Sequence, residues 1–339
     1  MQSSRNESSK SDGQYTFAEQ GGPEVLEWVP LAEPHALGKD EVQIRHEAIG
    51  VEFIDTMMRS GAMQMQLPSG LGFSGVGRVE SAGAEVSGVQ TGDRVAYLCS
   101  TPGSYSSARI VPAGRVYKLP DQGMSPQVAA GAIFRGLTAW YLANRITPLR
   151  KGDVVLVHAV AGGVGLLLLQ WLKHLGATVV GTVESRNKVE VAKKYGCDHV
   201  VVTPDESFSA MVKEVSAGAG AKVVYESIGK ATFEESIDAA ARFGYIVSYG
   251  WPSGDPDPVP LGTLRTKSLF LTRPTVSQYV AADADFHEGA KCLFNLISAG
   301  KILVKYTEFP LEDAARAQQD LVDGKTTGSV VLVPKLDLS

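Results

Sequence analysis

His158-Ala159-Val160-Ala161-Gly162-Gly163-Val164-Gly165 is the stretch whose reading decides the fold. It follows the apolar run Val154-Val155-Leu156-Val157 and leads into Leu166 to Leu172, so a buried strand, a glycine-rich turn and a helix stand in succession. In a G-x-G-x-x-G reading, Gly162 and Gly165 take the second and third glycine positions, and Val160 stands where the first would be. A glycine at 162 lets the backbone approach a pyrophosphate, and one at 165 lets the helix pack on the strand. The helix N-terminus adds free N–H groups and partial positive charge. The same glycines break the uncharged run Val154 to Leu172 into two pieces, each suited to burial in an α/β core rather than to a membrane span.

Downstream, Thr178 to Val183, His199 to Val202, Lys222 to Glu226, Tyr245 to Tyr249 and Leu269 to Thr272 read as further strands with helical intervals after most of them. With Val154 to His158 they make the six that a doubly wound, parallel Rossmann sheet requires. The Pro- and Gly-rich connection Gly250 to Lys267 need not be a helix. About 20 positions beyond the glycines, where an NAD site places an acid for the ribose hydroxyls, the chain reads Val183-Glu184-Ser185-Arg186-Asn187-Lys188. Val183 stands where Asp would mark NAD, whereas Ser185, Arg186 and Lys188 offer hydrogen bonds and charge to a 2′-phosphate. Glu184 leaves two readings open, a carboxylate for the ribose of NAD or a side chain facing solvent. The basic cluster makes NADPH the expected cofactor and NADH the alternative.

Upstream, Tyr15 to about Pro120 is strand-rich and punctuated by Gly, Pro and Asp, which predicts a mainly β domain. Ser125-Pro126 starts a helix, with Ser as cap and Pro at its first position. Phe286 to Ser298 and Leu311 to Val322 read as helices and Ser329 to Val333 as a strand, too little for a third core. The expectation is a disordered tail over 1–14, a catalytic domain of 15–134 plus 275–339, and an inserted dinucleotide-binding domain of 135–274. With 339 residues, 44% hydrophobic, 20% charged and a formal net charge of −5, global disorder and a basic nucleic-acid binder drop out. Cys99, Cys197 and Cys292 are too scattered for a disulfide framework or a CxxC pair, which fits a reducing cytoplasm. The six histidines lack ligand spacing.

Ordered matches run through nearly all of Tyr15 to Pro334. They include Gly21-Gly22-Pro23-Glu24-Val25-Leu26, Ala48-Ile49-Gly50, Phe53-Ile54-Asp55-Thr56, Arg59-Ser60-Gly61, Gly92-Asp93-Arg94-Val95 and Gly136-Leu137-Thr138-Ala139. The AxxGxxG turn Ala159 to Gly165, Tyr225-Glu226-Ser227-Ile228-Gly229 and Thr272-Arg273-Pro274 continue the series. On these residues the chain resembles the zinc-independent quinone oxidoreductases of the medium-chain dehydrogenase/reductase superfamily, the group that includes ζ-crystallin. The resemblance implies that the mainly β domain is GroES-like and that the protein is an oxidoreductase. It implies further that Thr138 approaches the nicotinamide, that Gly162, Gly163, Val164 and Gly165 hold the pyrophosphate, and that Ser185 and Lys188 face the adenosine phosphate. Ser227, Tyr249, Arg273 and the Lys325 region would lie along the cofactor.

Gly72-Phe73-Ser74-Gly75 stands where zinc-dependent relatives carry Gly-His-Glu-Gly, so no zinc is expected. Other departures fall where the family often has Asn, Tyr and Tyr, and this chain has Glu52, Met57 and Thr203. Met57 cannot donate a proton. Glu52 is a candidate donor if buried, against the plainer reading of an exposed or structurally paired Glu. Phe53, Met57, Met63 and Phe134 are candidates to line the site, with ordinary packing as the alternative.

Without a metal, an unactivated ketone would need another electrophile for its developing alkoxide. A quinone spreads that charge over its ring, so positioning, a few hydrogen bonds and a proton from water suffice. The expected function is NADPH-dependent hydride transfer to a quinone in a cleft between the domains. The expected setting is a cytoplasmic homodimer, paired through the strands at Phe243 to Trp251 and Leu269 to Thr272, with no membrane or nucleic-acid partner. The alternatives are an NADPH-dependent alkenal or enone reductase and a non-enzymic, NADPH-binding structural or RNA-associated protein.

Overall fold

Short Val-rich runs between glycine turns favour strands buried on both faces, the condition of a parallel sheet covered by helices. The computed structural model describes residues 12–31, 36–120, 123–203 and 205–335, and it contains such a sheet. Its six strands are Val154–Val157, Thr178–Val183, His199–Val202, Ala221–Glu226, Ala240–Ser248 and Phe270–Thr272. They lie in the spatial order third, second, first, fourth, fifth, sixth, with every neighbouring pair parallel. That is the doubly wound order of two mononucleotide-binding halves. Leu156, Val180, Val201, Val224 and Ile246, one from each of five adjacent strands, pack with Phe208, Val212 and Phe233. Each contributes about 1.5–3 kcal/mol by burial. The connection after the fifth strand includes a short helix, Leu261–Arg265.

Two units make up the chain, one of residues 1–130, 308–325 and 330–339, the other of 131–307 and 326–329. The second therefore extends past the Pro274 boundary expected from the sequence, for a packing reason. The helix Asp283–Ser298 lies so close to the helix Pro126–Asn144 that a Cβ on Gly136 would sit 2.4 Å from Leu293, and one on Gly289 2.7 Å from Leu137. Contact at that range needs glycine on both sides and binds the residues up to Thr307 to this unit. Ser125 caps the first of these helices, its Oγ accepting from the Val128 N–H at 3.2 Å.

In the first unit, the strand Glu41–Val51 pairs antiparallel with Ser74–Ala82, Ala108–Pro112 and Ser329–Val333. Arg94–Leu98 and Val116–Lys118 extend the sheet beyond Ser74–Ala82. Of the tail expected over 1–14, residues 1–11 lie outside the described residues, but Gly13 and Gln14 are strand. Gly13–Thr16 pairs with Glu27–Pro30, anchored by Tyr15, whose ring meets Trp28 edge-on at 5.1 Å. The Tyr15 hydroxyl donates to the Glu312 carbonyl at 2.8 Å. His46 is fully buried, its ring nitrogens 2.7 Å from the Ser106 carbonyl and the Tyr97 hydroxyl. Burial holds its pKa down to about 4. Among the described residues, no helix is long and apolar enough to cross a membrane.

Candidate functional site

Because the six strands run parallel, the residue that follows each strand lies at the same carboxyl edge of the sheet, where doubly wound folds bind ligands. Gly162 and its neighbours follow the first strand, Glu184 to Lys188 the second, Thr203 the third, Ser227 the fourth, Tyr249 the fifth and Arg273 the sixth. The parallel topology brings these scattered positions to one edge. The glycine turn stands between the Glu184 side and the Ser227 side, at the point where strand order reverses.

The turn is shaped by close backbone approach. Gly162 caps the helix Gly163–His174, and the first residue to donate back into it is Leu166, to the Gly162 carbonyl at 3.0 Å. The N–H groups of Gly163, Val164 and Gly165 therefore stand at the helix end without intrahelical acceptors, and no side chain caps them. A Cβ on Gly165 would lie 2.3 Å from the Ala159 carbonyl oxygen, so only glycine lets the helix begin here. Val160, in the position of the missing first glycine, is fully buried, and a Cβ on Gly181 would come 2.6 Å from its Cγ1. Space that the usual turn glycine would leave is taken by a valine, and the second strand supplies the glycine instead.

Two groups without a recognisable motif complete the turn. Arg135 is 4% exposed, and a Cβ on Gly163 would meet its Nε at 2.4 Å, so a buried cation stands against the helix N-terminus. Its one signal in the sequence is that it is the only charged residue of Pro126–Asn144. One helical turn on, Thr138 is 6% exposed and its hydroxyl donates to the Phe134 carbonyl at 3.0 Å. The segment Thr326 to Ser329 returns to the same place, with the Gly328 N–H donating to the Ala161 carbonyl at 3.1 Å. Lys325, the residue expected there, has its ammonium on Asp323 at 2.8 Å and Asp320 at 3.4 Å in the first unit.

A buried polar chain supports the turn from beneath. The Ala159 N–H reaches Thr182 Oγ1 at 3.3 Å, and Thr182 Oγ1 lies 3.0 Å from His158 Nδ1. His158 Nε2 lies 2.9 Å from Ser236 Oγ, which donates to the Glu226 carboxylate at 2.5 Å. Since the Ser236 proton goes to Glu226, His158 Nε2 must donate, and Nδ1 accepts from Thr182. Burial lowers the His158 pKa, which keeps this neutral tautomer. Glu226, fully buried, also accepts from the Thr232 hydroxyl at 2.9 Å and from the Ile228 and Gly229 N–H groups at 2.8 and 3.1 Å. Ala159 has φ of +47°, a left-handed strain that its bond to Thr182 helps to hold.

At the second strand's end, Lys188 is buried and its ammonium donates to Glu184, while Ser185 Oγ donates to Asn187 Oδ1 at 2.5 Å. Arg186 is exposed, 3.7 Å from Asp205. Thr203 donates from both N–H and hydroxyl to the Val183 carbonyl, at 2.9 and 3.4 Å. Ser227 donates to the His158 carbonyl at 3.3 Å, and packing raises the Tyr249 hydroxyl above its ordinary range. Arg273 stacks over Trp251 at 4.1 Å and binds Asp255 at 2.6 Å.

Of the other candidates, Glu52, Phe53, Met57 and Met63 sit in the first unit and Phe134 in the second. Glu52 is 3% exposed, and an added Cβ on Gly50 would come 2.7 Å from Glu52 Oε1 and 2.8 Å from Ser74 Oγ. The carboxyl and the buried Ser74 hydroxyl thus share one small space, made by the lack of a side chain at 50. Phe53 opens the helix Phe53–Ser60 and is exposed, and Met57 is half-buried on the same helix. Among the described residues, no group of three or more His, Cys, Asp and Glu is placed to hold a metal ion. Phe73 and Ser74 offer a zinc ion only one hydroxyl, and Phe73 no ligand atom.

Residues 163–295 match the model described as zinc-binding dehydrogenase, and residues 38–121 the alcohol dehydrogenase GroES-like domain. The chain is 42% identical to a quinone oxidoreductase of Pseudomonas aeruginosa, covering 94% of this chain and 98% of the relative. It is 37% identical to a 2-haloacrylate reductase of a Burkholderia species, covering 93% and 97%. The Escherichia coli quinone oxidoreductase complexed with NADPH superposes with a TM-score of 0.91 at 38% identity, covering 95% of this chain and 100% of that one.

Proposed function

The chain belongs to the zinc-independent, ζ-crystallin-like quinone oxidoreductases of the medium-chain dehydrogenase/reductase superfamily, and from that membership we propose that its carboxyl-edge site binds NADPH and uses it to reduce quinones. The protein is an NADPH-dependent quinone oxidoreductase. The observation that carries the site assignment is the helix start at Gly163 to Gly165, which no side chain caps, with Arg135 set against it. Uncapped helix N–H groups, a helix dipole and a buried guanidinium are a donor set suited to a diphosphate.

When bound, the nicotinamide would supply a hydride, which with one proton from solvent would convert a quinone to its hydroquinone, a two-electron reduction. The chain's own task is to bind and to place. Gly162, Gly163, Val164 and Gly165 hold the diphosphate, the His158–Glu226 chain keeps the turn in shape, and Thr138 borders the nicotinamide. Ser185, Arg186 and Lys188 receive the 2′-phosphate. Thr203, Ser227, Tyr249 and Arg273 line the same edge. In the first unit, Glu52 is the candidate proton donor, and Phe53 and Met57 are the candidate apolar groups.

Purified protein tested with NADPH and NADH against small and polycyclic quinones is expected to oxidise NADPH only when a quinone is present, and faster than NADH. A second reading, reduction of an activated carbon–carbon double bond, is favoured by the likeness to the 2-haloacrylate reductase. Faster turnover of an enone or 2-haloacrylate than of any quinone selects it, and cofactor binding without oxidation by any acceptor defeats both.

The sheet ends at Phe270–Thr272, where Phe270 and Leu271 are exposed beside Phe243. An apolar, unpaired edge of this kind fits a second copy joined across a two-fold axis. A dimer mass by light scattering, reduced to a monomer by Phe270→Glu, is the expected result; a wild-type monomer overturns it. Three free cysteines fit a cytoplasmic location, and recovery in an oxidising compartment instead of the cytosolic fraction speaks against it.

A further inference from the structure

We infer that Glu184 sets the balance between NADPH and NADH by occupying Lys188, as an internal competitor of the 2′-phosphate. The inference rests on the NADPH reading above and goes beyond it in assigning Glu184 a role against the phosphate rather than toward a ribose.

The geometry of the pair is asymmetric. The Lys188 side chain is 11% exposed and that of Glu184 is 56% exposed. The stem of the lysine is therefore fixed by packing and only its head is available, while the carboxylate stands in water and can swing away. Their contact spans four residues across the turn Arg186–Lys188, at the end of the second strand. The other polar groups of this rim are also engaged internally: Ser185 with Asn187, Arg186 with Asp205. A 2′-phosphate must exchange each of these contacts for its own. The displaced partner is an anion at both cations, but Asp205 stands 3.7 Å from an exposed Arg186, whereas Glu184 is bonded to the buried Lys188 and stays close to an incoming group of nearly two negative charges. A ribose that carries only a hydroxyl meets no such repulsion. Glu184 accordingly weakens the phosphorylated cofactor and leaves the unphosphorylated one alone.

The test measures binding of NADPH, NADH, adenosine 2′,5′-bisphosphate and 5′-AMP to the full-length protein by calorimetry, with no acceptor present. Glu184→Gln is expected to tighten NADPH and the bisphosphate about fivefold, a size suited to a half-exposed ion pair, and to leave NADH and 5′-AMP within about twofold. The gain should shrink in a Lys188→Gln background, since the competitor then has nothing to occupy and only its repulsion of the phosphate is left to remove. Unchanged affinities in Glu184→Gln overturn the inference. So does a loss of NADH affinity, which makes Glu184 a ribose ligand. If Lys188→Gln alone leaves NADPH and the bisphosphate as tight as before, the phosphate assignment of this rim fails as well, a result separable from the first two.

Discussion

At the Ala159 to Gly165 turn, the groups proposed to face the cofactor are main-chain N–H groups, supported by a buried chain from Thr182 through His158 and Ser236 to Glu226. At Glu184 to Lys188, they are side chains on a rim where Glu184 and Arg186 are exposed. The first region is rigid because its shape follows from glycine contacts and satisfied buried bonds. The second can be re-paired at small cost, because exposed ion pairs are worth little. On the proposed function, affinity for any dinucleotide belongs to the turn, and discrimination between phosphorylated and unphosphorylated forms belongs to the rim.

That division is open to three tests of decreasing size, and a fourth, smaller one bears on the stability of the first unit. Gly165→Val places a side chain where even a Cβ meets the Ala159 oxygen at 2.3 Å, and both NADPH and NADH affinities are expected to fall more than about 100-fold, with a lower melting temperature. Arg135→Gln removes the buried cation beside Gly163 and should weaken both cofactors equally, by about thirtyfold in calorimetry. A loss confined to NADPH would move Arg135 out of the turn's function.

Lys188→Ala is expected to cost about tenfold for NADPH and nothing for NADH, read as the ratio of kcat/KM values. Equal losses would merge the two regions. The smallest effect concerns pH and lies outside the rim. His46 holds its pKa near 4 when folded, against 6.5 as its ordinary value. The unfolded chain therefore binds the extra proton in the window from about 6.5 down to 4, and stability falls as pH falls through it. Above that window the contribution is complete. Between pH 7.5 and 6 this histidine alone should cost about 1 kcal/mol in denaturant unfolding, and His46→Gln should flatten the slope. His158, whose pKa burial also lowers, adds in the same direction.

How far each region is legible in the sequence follows from the range of its determinants. The turn is contiguous, and strand, glycines and helix announce it within a few residues. Its six-strand context follows from repeated Val-rich runs. Arg135 contacts Gly163 from a helix in which nothing but its solitary charge marks it. Thr326 to Ser329 reach the turn only after the whole sheet has been built, and the ammonium of the adjacent Lys325, placed along the cofactor by the resemblance, is paired with Asp320 and Asp323. Glu52 reads as an ambiguous acid until the lack of a side chain at Gly50 places it beside Ser74.

Periodicity and glycine spacing are local, and they are enough to specify a doubly wound sheet, a glycine turn between its first strand and helix and a basic segment after the second strand. The pairing of Glu184 with Lys188, the valine of the turn set against Gly181, the tautomer of His158 and the helix that carries the second unit to Thr307 came from packing. Those depend on which side chains meet across the folded chain, and a contact between distant residues leaves no period in the sequence.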